Sequence, residues 1–581
     1  MNGYPDSLTR ERIHRAFLVL YGDRAERCER RFAALIGRYA LGDARPAACV
    51  SRWDQRDAVL ITYGDSIQST SGSPLDALRA WVQQRLGGAF NTLHILPFFP
   101  SSSDDGFSVI HYRMVDPRLG TWADVKAIGQ HITLMFDLVL NHVSRQSGWF
   151  LDYETGIAPG RHYFIEGDPS WDLSAVTRPR NLPLLTPVNT RSGPRHVWTT
   201  FSVDQIDLNF ASPDVLFEMI DILMFYVAQG ARILRLDAVA YLWKRPGTSC
   251  IHLEETHLVV KILRDVLSLV APDVILLTET NVPHRENVSY FGQGDEAHWV
   301  YQFSLPPLLL YTLVNGTARA LTDWAAQLST PPSGCTFLNF TASHDGIGVR
   351  PLEGLVPPEA IRNLAQVVAA QGGEASWHRL PDGSESVYEL NSTYYDALAS
   401  DATTYTDMDR KRFLCSQILA MSFQGIPALY INSLIAARND HEGYRRTGQP
   451  RRLNRQKWFN TEWDSILATN PAVQEVFDSL LRYLRIRVAQ PAFHPEGPQR
   501  VLRLDDDRLF ALRRVSPDGS RSVTVVCNVS DTFVSCSLRH VDITTPVIDL
   551  ITETAHPQPE QDLLLAPYQT VWLSPDGRHV P

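Results

Sequence analysis

Residues 133–142 read TLMFDLVLNH, an almost continuous apolar run that is interrupted once, by Asp137, and ends in Asn141 and His142. A short run of this kind is typical of a parallel strand whose two faces are both covered by other parts of the protein. The polar residues stand at the end of the run rather than alternating along it. The segment therefore predicts a buried parallel strand with polar side chains at its carboxyl end.

Seven further short apolar runs occur along the chain, and stretches with a helical pattern separate them. The eight predicted strands cover residues 59–63, 92–96, 133–140, 232–236, 274–278, 300–303, 337–341 and 426–431. Eight strands that alternate with helices predict an α/β fold, the (β/α)8 or TIM barrel. The chemistry of such a barrel lies at the carboxyl ends of its strands.

The pattern of apolar and polar residues also divides the chain into units. Residues 1–57 read as a polar helical extension and residues 58–490 as the catalytic barrel. Two connections, 143–202 after the third strand and 346–409 after the seventh, are much longer than ordinary barrel loops and are predicted to be functional insertions. Residues 491–581 alternate in short strands broken by turns, which predicts a C-terminal antiparallel β domain.

Composition excludes several classes of protein. The 581 residues carry 54 Lys and Arg against 64 Asp and Glu, a net charge of −10, and 44% are hydrophobic. The hydrophobic fraction is too high for a disordered chain, and the negative net charge argues against a nucleic-acid-binding protein. No long apolar segment or secretion signal is visible, so we expect a cytoplasmic protein without a membrane partner. The short arginine stretch at residues 445–455 leaves two interpretations open at this point, a solvated loop or part of a binding site.

Polar residues gather at the ends of several predicted strands. Brought to one barrel mouth, they are three carboxyl groups, two histidines and one arginine: Asp237, Glu279, Asp345, His142, His344 and Arg235. Like charges repel, so three acids in one pocket need a reason to coexist. Retaining glycoside transfer supplies one, since it uses an ionised nucleophile, a protonated acid and a cation-like transition state that a third carboxylate stabilises.

Four of these segments, DLVLNH, RILRLDAV, LLTET and FTASHD, resemble the signature segments of the α-amylase superfamily, glycoside hydrolase family thirteen. The resemblance implies that Asp237 is the nucleophile, Glu279 the general acid/base and Asp345 the transition-state stabiliser. Supporting roles fall to Arg235, His142, His344, Asp137 and Asn141.

Further segments resemble the sucrose phosphorylase branch of that family, among them LITYGDS at 60–66, HILPFFPSSSDDGF at 94–107 and NSTYYDAL at 391–398. This resemblance implies that Asp105 and Arg451 hold the glucosyl ring in the donor subsite. Among the aromatic residues expected at the mouth, Tyr63 and Phe107 are the predicted partners for stacking on the sugar.

The acceptor decides between hydrolysis and phosphorolysis. A phosphorylase must present positive charge to inorganic phosphate, and arginine does so with a planar fork of N–H groups. By resemblance, Arg180 in the first insertion contacts phosphate or the acceptor, and Tyr388 and Glu389 lie on the loop of the second insertion that turns a tyrosine toward phosphate. We therefore expect phosphorolysis with net retention, which gives α-D-glucose 1-phosphate.

The leaving group is expected to be glycerate. The fragments RPRNLPLLTPV and HVWTTFSVDQIDLNF are most similar to glucosylglycerate phosphorylases, and the anionic glycerate could pair with Arg180 or with Arg191, Arg195 or His196. Glucosylglycerol and sucrose 6-phosphate remain alternatives. Sucrose is less favoured, because its phosphorylases lack the N-terminal extension and usually carry Gln in place of Glu389.

Two other classes stay open at this stage. One is a hydrolase or transglucosidase of the same fold, and the other is a non-catalytic carbohydrate-binding barrel, against which the presence of all three acids speaks. No cofactor or metal is expected. Many amylases bind calcium near the position of Asn141, but phosphorylases of this branch generally do without it, and the sequence shows no cluster of ligands that demands the ion. The oligomeric state is left open.

Overall fold

Eight parallel strands close into a barrel in the computed structural model, which describes residues 7–39, 52–379, 385–556, 558, 560 and 562–575. The barrel strands, numbered here in chain order, are β1 (Val59–Thr62), β2 (Thr92–Ile95), β3 (Thr133–Val139), β4 (Ala231–Asp237), β5 (Ile275–Thr278), β6 (Trp299–Tyr301), β7 (Thr336–Phe340) and β8 (Ile426–Tyr430). Each strand pairs with the next, and β8 closes on β1. The predicted (β/α)8 barrel is confirmed.

The strands are buried on both faces, as their apolar runs predict. All four residues of β1 and all four of β5 are buried. The helices that flank the barrel include Pro74–Arg85, Trp122–Gly129, Pro213–Ala228, Glu254–Val270, Leu305–Asn315, Arg319–Ala326, Asp407–Ser422 and Pro471–Val488. The register of β3 against β4 sets Asp137 beside Arg235 and Val139 beside Asp237, and so positions the catalytic candidates.

Two long connections rise above the carboxyl ends of the strands. The first, between β3 and β4, contains the strands His142–Ser144, Leu185–Thr190, Gly193–Trp198 and Gln205–Asp207 and the helix Gly148–Thr155. The second, between β7 and β8, contains the strands Ile347–Gly348, Glu374–Arg379 and Glu385–Asn391 and the helices Pro358–Ala370 and Tyr394–Leu398. The two meet, since the Asn181 side chain donates a hydrogen bond to the backbone carbonyl of Trp377 at 3.1 Å.

The N-terminal extension forms two helices, Ser7–Tyr21 and Ala25–Tyr39, that pack against barrel helices Pro213–Ala228 and Glu254–Val270. Phe17 is fully buried against Phe217, with ring centroids 6.0 Å apart. Ion pairs surround this contact, one of which joins Arg31 to Asp214 at 2.6 Å. Of the extension predicted over residues 1–57, residues 1–6 and 40–51 lie outside the described residues.

The C-terminal part is built from antiparallel strands. Six of them form one sheet, Gln499–Leu502, Leu509–Val515, Ser522–Asn528, Thr570–Ser574, Val547–Asp549 and Ala555–His556, and Val534–Ser537 pairs with Asp562–Leu565. This part packs on the barrel, where the Trp572 ring nitrogen donates to the Ser422 hydroxyl at 2.9 Å. The division of the chain at residues 58 and 491 stays a prediction.

Among the residues that the structure describes, no helix is both long enough and apolar enough to cross a membrane.

Candidate active site

A cavity of about 530 Å³ opens at the carboxyl ends of the barrel strands, between the two insertions. The predicted site residues that line it are Phe107, His142, Arg180, Arg235, Asp237, Glu279, His344, Asp345, Tyr388, Glu389 and Arg451. They come from β4, from the ends of β5 and β7, from both insertions, and from the connections after β2 (Phe107) and after β8 (Arg451). The barrel thus gathers residues that are up to 344 positions apart in sequence into one pocket.

Asp237 is the last residue of β4, and Arg235 lies on the same strand two residues earlier. Arg235 Nη1 donates to Asp237 Oδ1 at 2.9 Å and also donates to the buried carboxylate of Asp137. His94 Nε2 contacts the other oxygen of Asp137 at 2.6 Å. Arg235 is therefore held between two carboxylates, and its charge favours the ionised form of Asp237.

Glu279 follows β5 directly, and its carboxyl group accepts a hydrogen bond from the backbone N–H of Ala238 at 3.0 Å. Ala238 adopts a left-handed conformation with φ of 49°, which is uncommon for a residue with a side chain. This turn ends β4 and directs the N–H toward Glu279. The backbone strain thus serves the position of the second catalytic candidate.

The carboxyl groups of Asp237 and Glu279 titrate as a pair. Burial raises the pKa of both, Arg235 lowers both, and the neighbouring carboxylates raise them again. Arg235 donates to Asp237 at 2.9 Å but lies 3.9 Å from Glu279. Because the stronger contact with the cation is on Asp237, the geometry favours the ionised form of Asp237 and the protonated form of Glu279.

Asp345 has a different environment. Arg451 Nη1 lies 2.6 Å from Asp345 Oδ1, and His344 Nε2 lies 3.4 Å from its other oxygen. Burial would raise the pKa of Asp345, but Arg451 and Arg235 outweigh it, and the pKa is lowered. Asp345 is therefore ionised, as a group that stabilises positive charge must be.

The two predicted histidines are neutral donors or acceptors rather than cations. Burial lowers the pKa of His142, and burial together with Arg235 lowers the pKa of His344 well below its usual range. His142 Nε2 lies 3.0 Å from the backbone carbonyl of Phe107. Neutral imidazole can bind sugar hydroxyl groups without adding positive charge next to the reacting centre.

The aspartates of the DDG segment occupy different places. Asp104 lines the cavity, whereas Asp105 does not. Asp105 instead accepts hydrogen bonds from Arg452 at 3.2 Å and Arg455 at 2.9 Å. The role of Asp105 in holding the glucosyl ring stays a prediction. Both aspartates adopt left-handed conformations, and Arg455 Nη1 donates to both, to Asp104 at 3.2 Å and to Asp105 at 2.9 Å.

Part of the arginine stretch at residues 445–455 is buried. Arg445 and Arg446 are exposed on the helix His441–Thr447, but Arg455 is almost fully buried. Arg455 donates to the backbone carbonyl of His344 at 2.8 Å and lies 3.2 Å from Asp104. It therefore connects the DDG segment to the end of β7, a role that its sequence neighbourhood did not indicate.

The two aromatic residues predicted to stack on the sugar are both engaged with His344. Phe107 lines the cavity, but its ring stacks on the imidazole of His344 with centroids 4.6 Å apart. Tyr63 lies outside the lining and meets His344 edge-on at 6.0 Å. Tyr63 thus packs against the histidine, and its contact with substrate stays a prediction.

The outer side of the cavity carries the predicted acceptor residues. Arg180 from the first insertion lies over the ring of Tyr388 from the second at 5.6 Å, and it is 4.0 Å from Glu389. Arg451 binds the buried Glu389 through two hydrogen bonds, of 2.8 and 3.2 Å. Positive and negative groups therefore alternate from Arg180 through Glu389 and Arg451 to Asp345.

Other cations proposed for glycerate lie elsewhere. Arg191, Arg195 and His196 are outside the cavity lining, and Arg195 pairs with Glu166 at 3.5 Å. Sequence reasoning missed Asn281, which lines the cavity two residues after Glu279 and whose side-chain oxygen is buried without a hydrogen-bond partner in the described part of the chain. Its position two residues after a strand-end acid was the signal that could have found it.

Within the residues that the structure describes, no group of three or more His, Cys, Asp or Glu side chains is arranged to hold a metal ion.

Comparison with known proteins agrees with this geometry. The family described as "Alpha amylase, catalytic domain" matches residues 84–333. The chain is 48% identical to a glucosylglycerate phosphorylase from Allomeiothermus silvanus, covering 82% of this chain and 86% of that protein. It is 44% identical to a glucosylglycerate phosphorylase from Escherichia coli, with 90% and 92% covered, and 33% identical to a sucrose phosphorylase from Agrobacterium vitis, with 75% and 88% covered.

The fold agrees as well. The crystal structure of sucrose 6F-phosphate phosphorylase from Thermoanaerobacter thermosaccharolyticum superposes with a TM-score of 0.71 at 25% identity, over 90% of this chain and 100% of that chain. An α-amylase from H. orenii gives a TM-score of 0.64 at 16% identity, which speaks for the fold alone. The chain therefore belongs to the α-amylase family, glycoside hydrolase family thirteen, in the group that contains the glucosylglycerate and sucrose phosphorylases.

Proposed function

We propose that this protein is a retaining α-glucoside phosphorylase that converts 2-O-α-D-glucosylglycerate and inorganic phosphate into α-D-glucose 1-phosphate and glycerate. The observation that carries the proposal is the identity of 44–48% with glucosylglycerate phosphorylases over most of the chain. The site supports it, since the acid pair of Asp237 and Glu279 shares its cavity with Arg180, a cation that can receive an anion.

In the first step, Asp237 attacks the anomeric carbon of the glucosyl unit while Glu279 gives its proton to the glycosidic oxygen. Glycerate leaves, and a β-glucosyl ester forms on Asp237. Burial raises the pKa of Glu279, which favours its protonated form for this step. Asp345, ionised beside Arg451, stabilises the positive charge that develops on the sugar.

In the second step, phosphate takes the place that glycerate has left. The carboxylate of Glu279 accepts a proton from a phosphate hydroxyl group, and the freed oxygen attacks the anomeric carbon and breaks the ester to Asp237. Two inversions give net retention. Arg180 stands at the outer side of the cavity, where its planar fork suits both the glycerate carboxylate and phosphate.

The experiment is an initial-rate comparison of glucosylglycerate, glucosylglycerol, sucrose and sucrose 6-phosphate, each with and without inorganic phosphate. Glucose 1-phosphate and free glucose are measured separately. We expect strict dependence on phosphate and a clear preference for glucosylglycerate. A preference for glucosylglycerol or for sucrose 6-phosphate would contradict glycerate as the leaving group. It would instead match the name of one of two more distant relatives. Free glucose formed at equal rate without phosphate would make the protein a hydrolase.

The proposal includes a cytoplasmic location. Phosphate and glucose 1-phosphate are charged and do not cross a lipid bilayer unaided, so a cell keeps them where they are made. Fractionation of the source cells, with the protein detected by antibody, tests this; recovery outside the cytoplasmic fraction would contradict it.

A further inference from the structure

A second cavity, of about 570 Å³, forms a groove between the N-terminal extension and the first insertion. Its charged lining residues come from residues 24–31 of the extension, from residues 161–166 of the first insertion and from the first turn of the helix Pro213–Ala228. They are Arg24, Arg27, Arg31, Arg161, Glu166 and Asp214. The groove shares no lining residue with the active-site cavity, so it is a separate feature of the molecule.

The groove has an excess of positive charge. Four arginines line it against two carboxyl groups, and both carboxyl groups are already engaged. Asp214 pairs with Arg31 at 2.6 Å, and Glu166 lies 3.5 Å from Arg195, which is outside the groove. The chain as a whole carries a net charge of −10, so the sign of the charge is reversed at this place. A concave positive region of this kind attracts anions.

Two of the arginines have free donors. Among the residues that the structure describes, no hydrogen bond or ion pair engages the side chain of Arg27, and that of Arg161 contacts only the ring of His162, through Nε at 2.8 Å. Ser212 adds a third group to the groove, since it directly precedes the helix Pro213–Ala228 but its side chain accepts no hydrogen bond from that helix. Guanidinium N–H groups and a hydroxyl group are the donors that bind phosphate oxygens.

The two free arginines belong to different parts of the chain. Arg27 is on the extension helix Ala25–Tyr39, and Arg161 is in the turn Gly160–His162 of the first insertion. Close to this turn, the backbone N–H of Asn209 donates to the carbonyl of Tyr163 at 2.7 Å. Asn209 comes two residues after the last strand of the insertion, whose first residue lines the active-site cavity. A ligand between the two arginines would therefore fasten the extension to a segment that leads into the cavity wall.

We propose that this groove is a second anion site, which binds a phosphate ester of a small metabolite through the guanidinium groups of Arg27 and Arg161 and the hydroxyl group of Ser212. A phosphate group suits these donors because it offers several oxygen acceptors in different directions. An ester is favoured over inorganic phosphate because the volume of the groove is that of a site for a whole small molecule. The proposal does not rest on the proposed function, since the groove and the active-site cavity are separate.

The test locates binding by hydrogen–deuterium exchange with mass spectrometry. The probe is α-D-glucose 1-phosphate, and the protein is Asp237→Asn, in which the proposed mechanism leaves the probe unconsumed. We expect the probe to slow exchange of backbone amides in residues 22–31 and 160–166 at least about 3-fold, because a bound ligand suppresses local opening. Unchanged exchange in both segments at saturating probe would overturn the proposal.

Arg27→Ala with Arg161→Ala, added to the same protein, should raise the concentration of probe that gives half of this protection at least about 10-fold. Both arginines are exposed, so the variant should fold, and its protection at residues 341–348 of the active-site cavity should remain. The matched control is Arg15→Ala with Arg319→Ala, which removes the same charge at exposed ion pairs outside the groove. Equal losses in the two variants would mean that general electrostatics, and not a site, holds the probe.

Two further ligands decide on its chemical class. D-Glucose has no charge and should give no protection in residues 22–31 and 160–166; protection equal to that by the ester would refute an anion site. Inorganic phosphate should protect these segments more weakly than the ester, and equal protection would refute the choice of an ester. If the wild-type protein forms no glucose 1-phosphate from any glucoside, the proposed function fails while the exchange result still decides on the groove.

Discussion

The inner and outer sides of the cavity are built in different ways. The inner side is made of barrel strands, where Arg235 and Asp237 belong to β4 and both are nearly buried. The outer side is made of the two insertions, where the Arg180 side chain is 30% exposed and meets Tyr388 across a gap between loops. If the proposed roles hold, the barrel strands carry the groups that make and break bonds, and the insertions carry the groups that receive the acceptor. Reaction type and acceptor choice would then belong to separate parts of this molecule.

The largest expected effect is that of Asp237→Asn on the inner side. Without the nucleophile no β-glucosyl ester forms, and kcat should fall on the order of 10⁴-fold or more, as for other residues of a concerted set. Steady-state release of glucose 1-phosphate measures it. Asp273→Asn is the matched control, because Asp273 is exposed and pairs with Arg232 outside the cavity. Retained turnover in Asp237→Asn would show that the inner side of the cavity does not supply the nucleophile through this residue.

Glu279→Gln should lower kcat/KM for glucosylglycerate about 10³-fold, within the range for loss of a general acid. The loss should be smaller with α-glucosyl fluoride, whose leaving group needs no proton. Because the pKa of Glu279 is raised, wild-type activity should persist above the usual pKa of a glutamic acid and fall as the pH rises further. If Glu279→Gln still loses activity as the pH rises, that loss must come from the titration of another group.

Arg180→Ala tests the outer side. Loss of a charge-assisted hydrogen bond to phosphate should raise the KM for phosphate about 10- to 100-fold. Free glucose should then form a larger share of the product, because water competes for the same ester. Arg191→Ala is the control, since Arg191 belongs to the same insertion but lies outside the cavity lining. Equal effects of the two changes would remove Arg180 from the acceptor site.

Glu389→Gln should have the smallest effect. Glu389 binds Arg451 through two hydrogen bonds, and Arg451 in turn holds Asp345. Removal of its charge should lower kcat a few-fold through a looser Arg451, and it should lower the KM for phosphate, because a negative charge leaves the anion site. The opposite pattern, a higher KM for phosphate with unchanged kcat, would mean that Glu389 contacts the acceptor directly.

Sequence patterns were most informative along the barrel strands. A run such as TLMFDLVLNH is short, apolar and ended by polar residues, and burial on both faces leaves few alternatives to a central parallel strand. The closed barrel then brings the ends of β4, β5 and β7 together, so the proximity of Asp237, Glu279 and Asp345 followed from the fold class.

The same reasoning was weaker wherever adjacent residues point in different directions. Asp104 and Asp105 are neighbours with the same side chain, and both bind Arg455, yet Asp104 lines the cavity and Asp105 does not. Arg445 and Arg455 belong to one basic stretch, yet the first is exposed and the second is buried. Backbone conformation in these turns decides the outcome, and composition carries little information about it.

By itself, then, the sequence determined the barrel, its strand ends and the three acids, because these depend on hydrophobic patterning within short segments. Only the tertiary structure decided that Arg451 bridges Glu389 and Asp345 and that Arg455 reaches Asp104. These contacts join residues 62 to 351 positions apart. Their existence depends on how loops cross above the barrel, which no local pattern encodes.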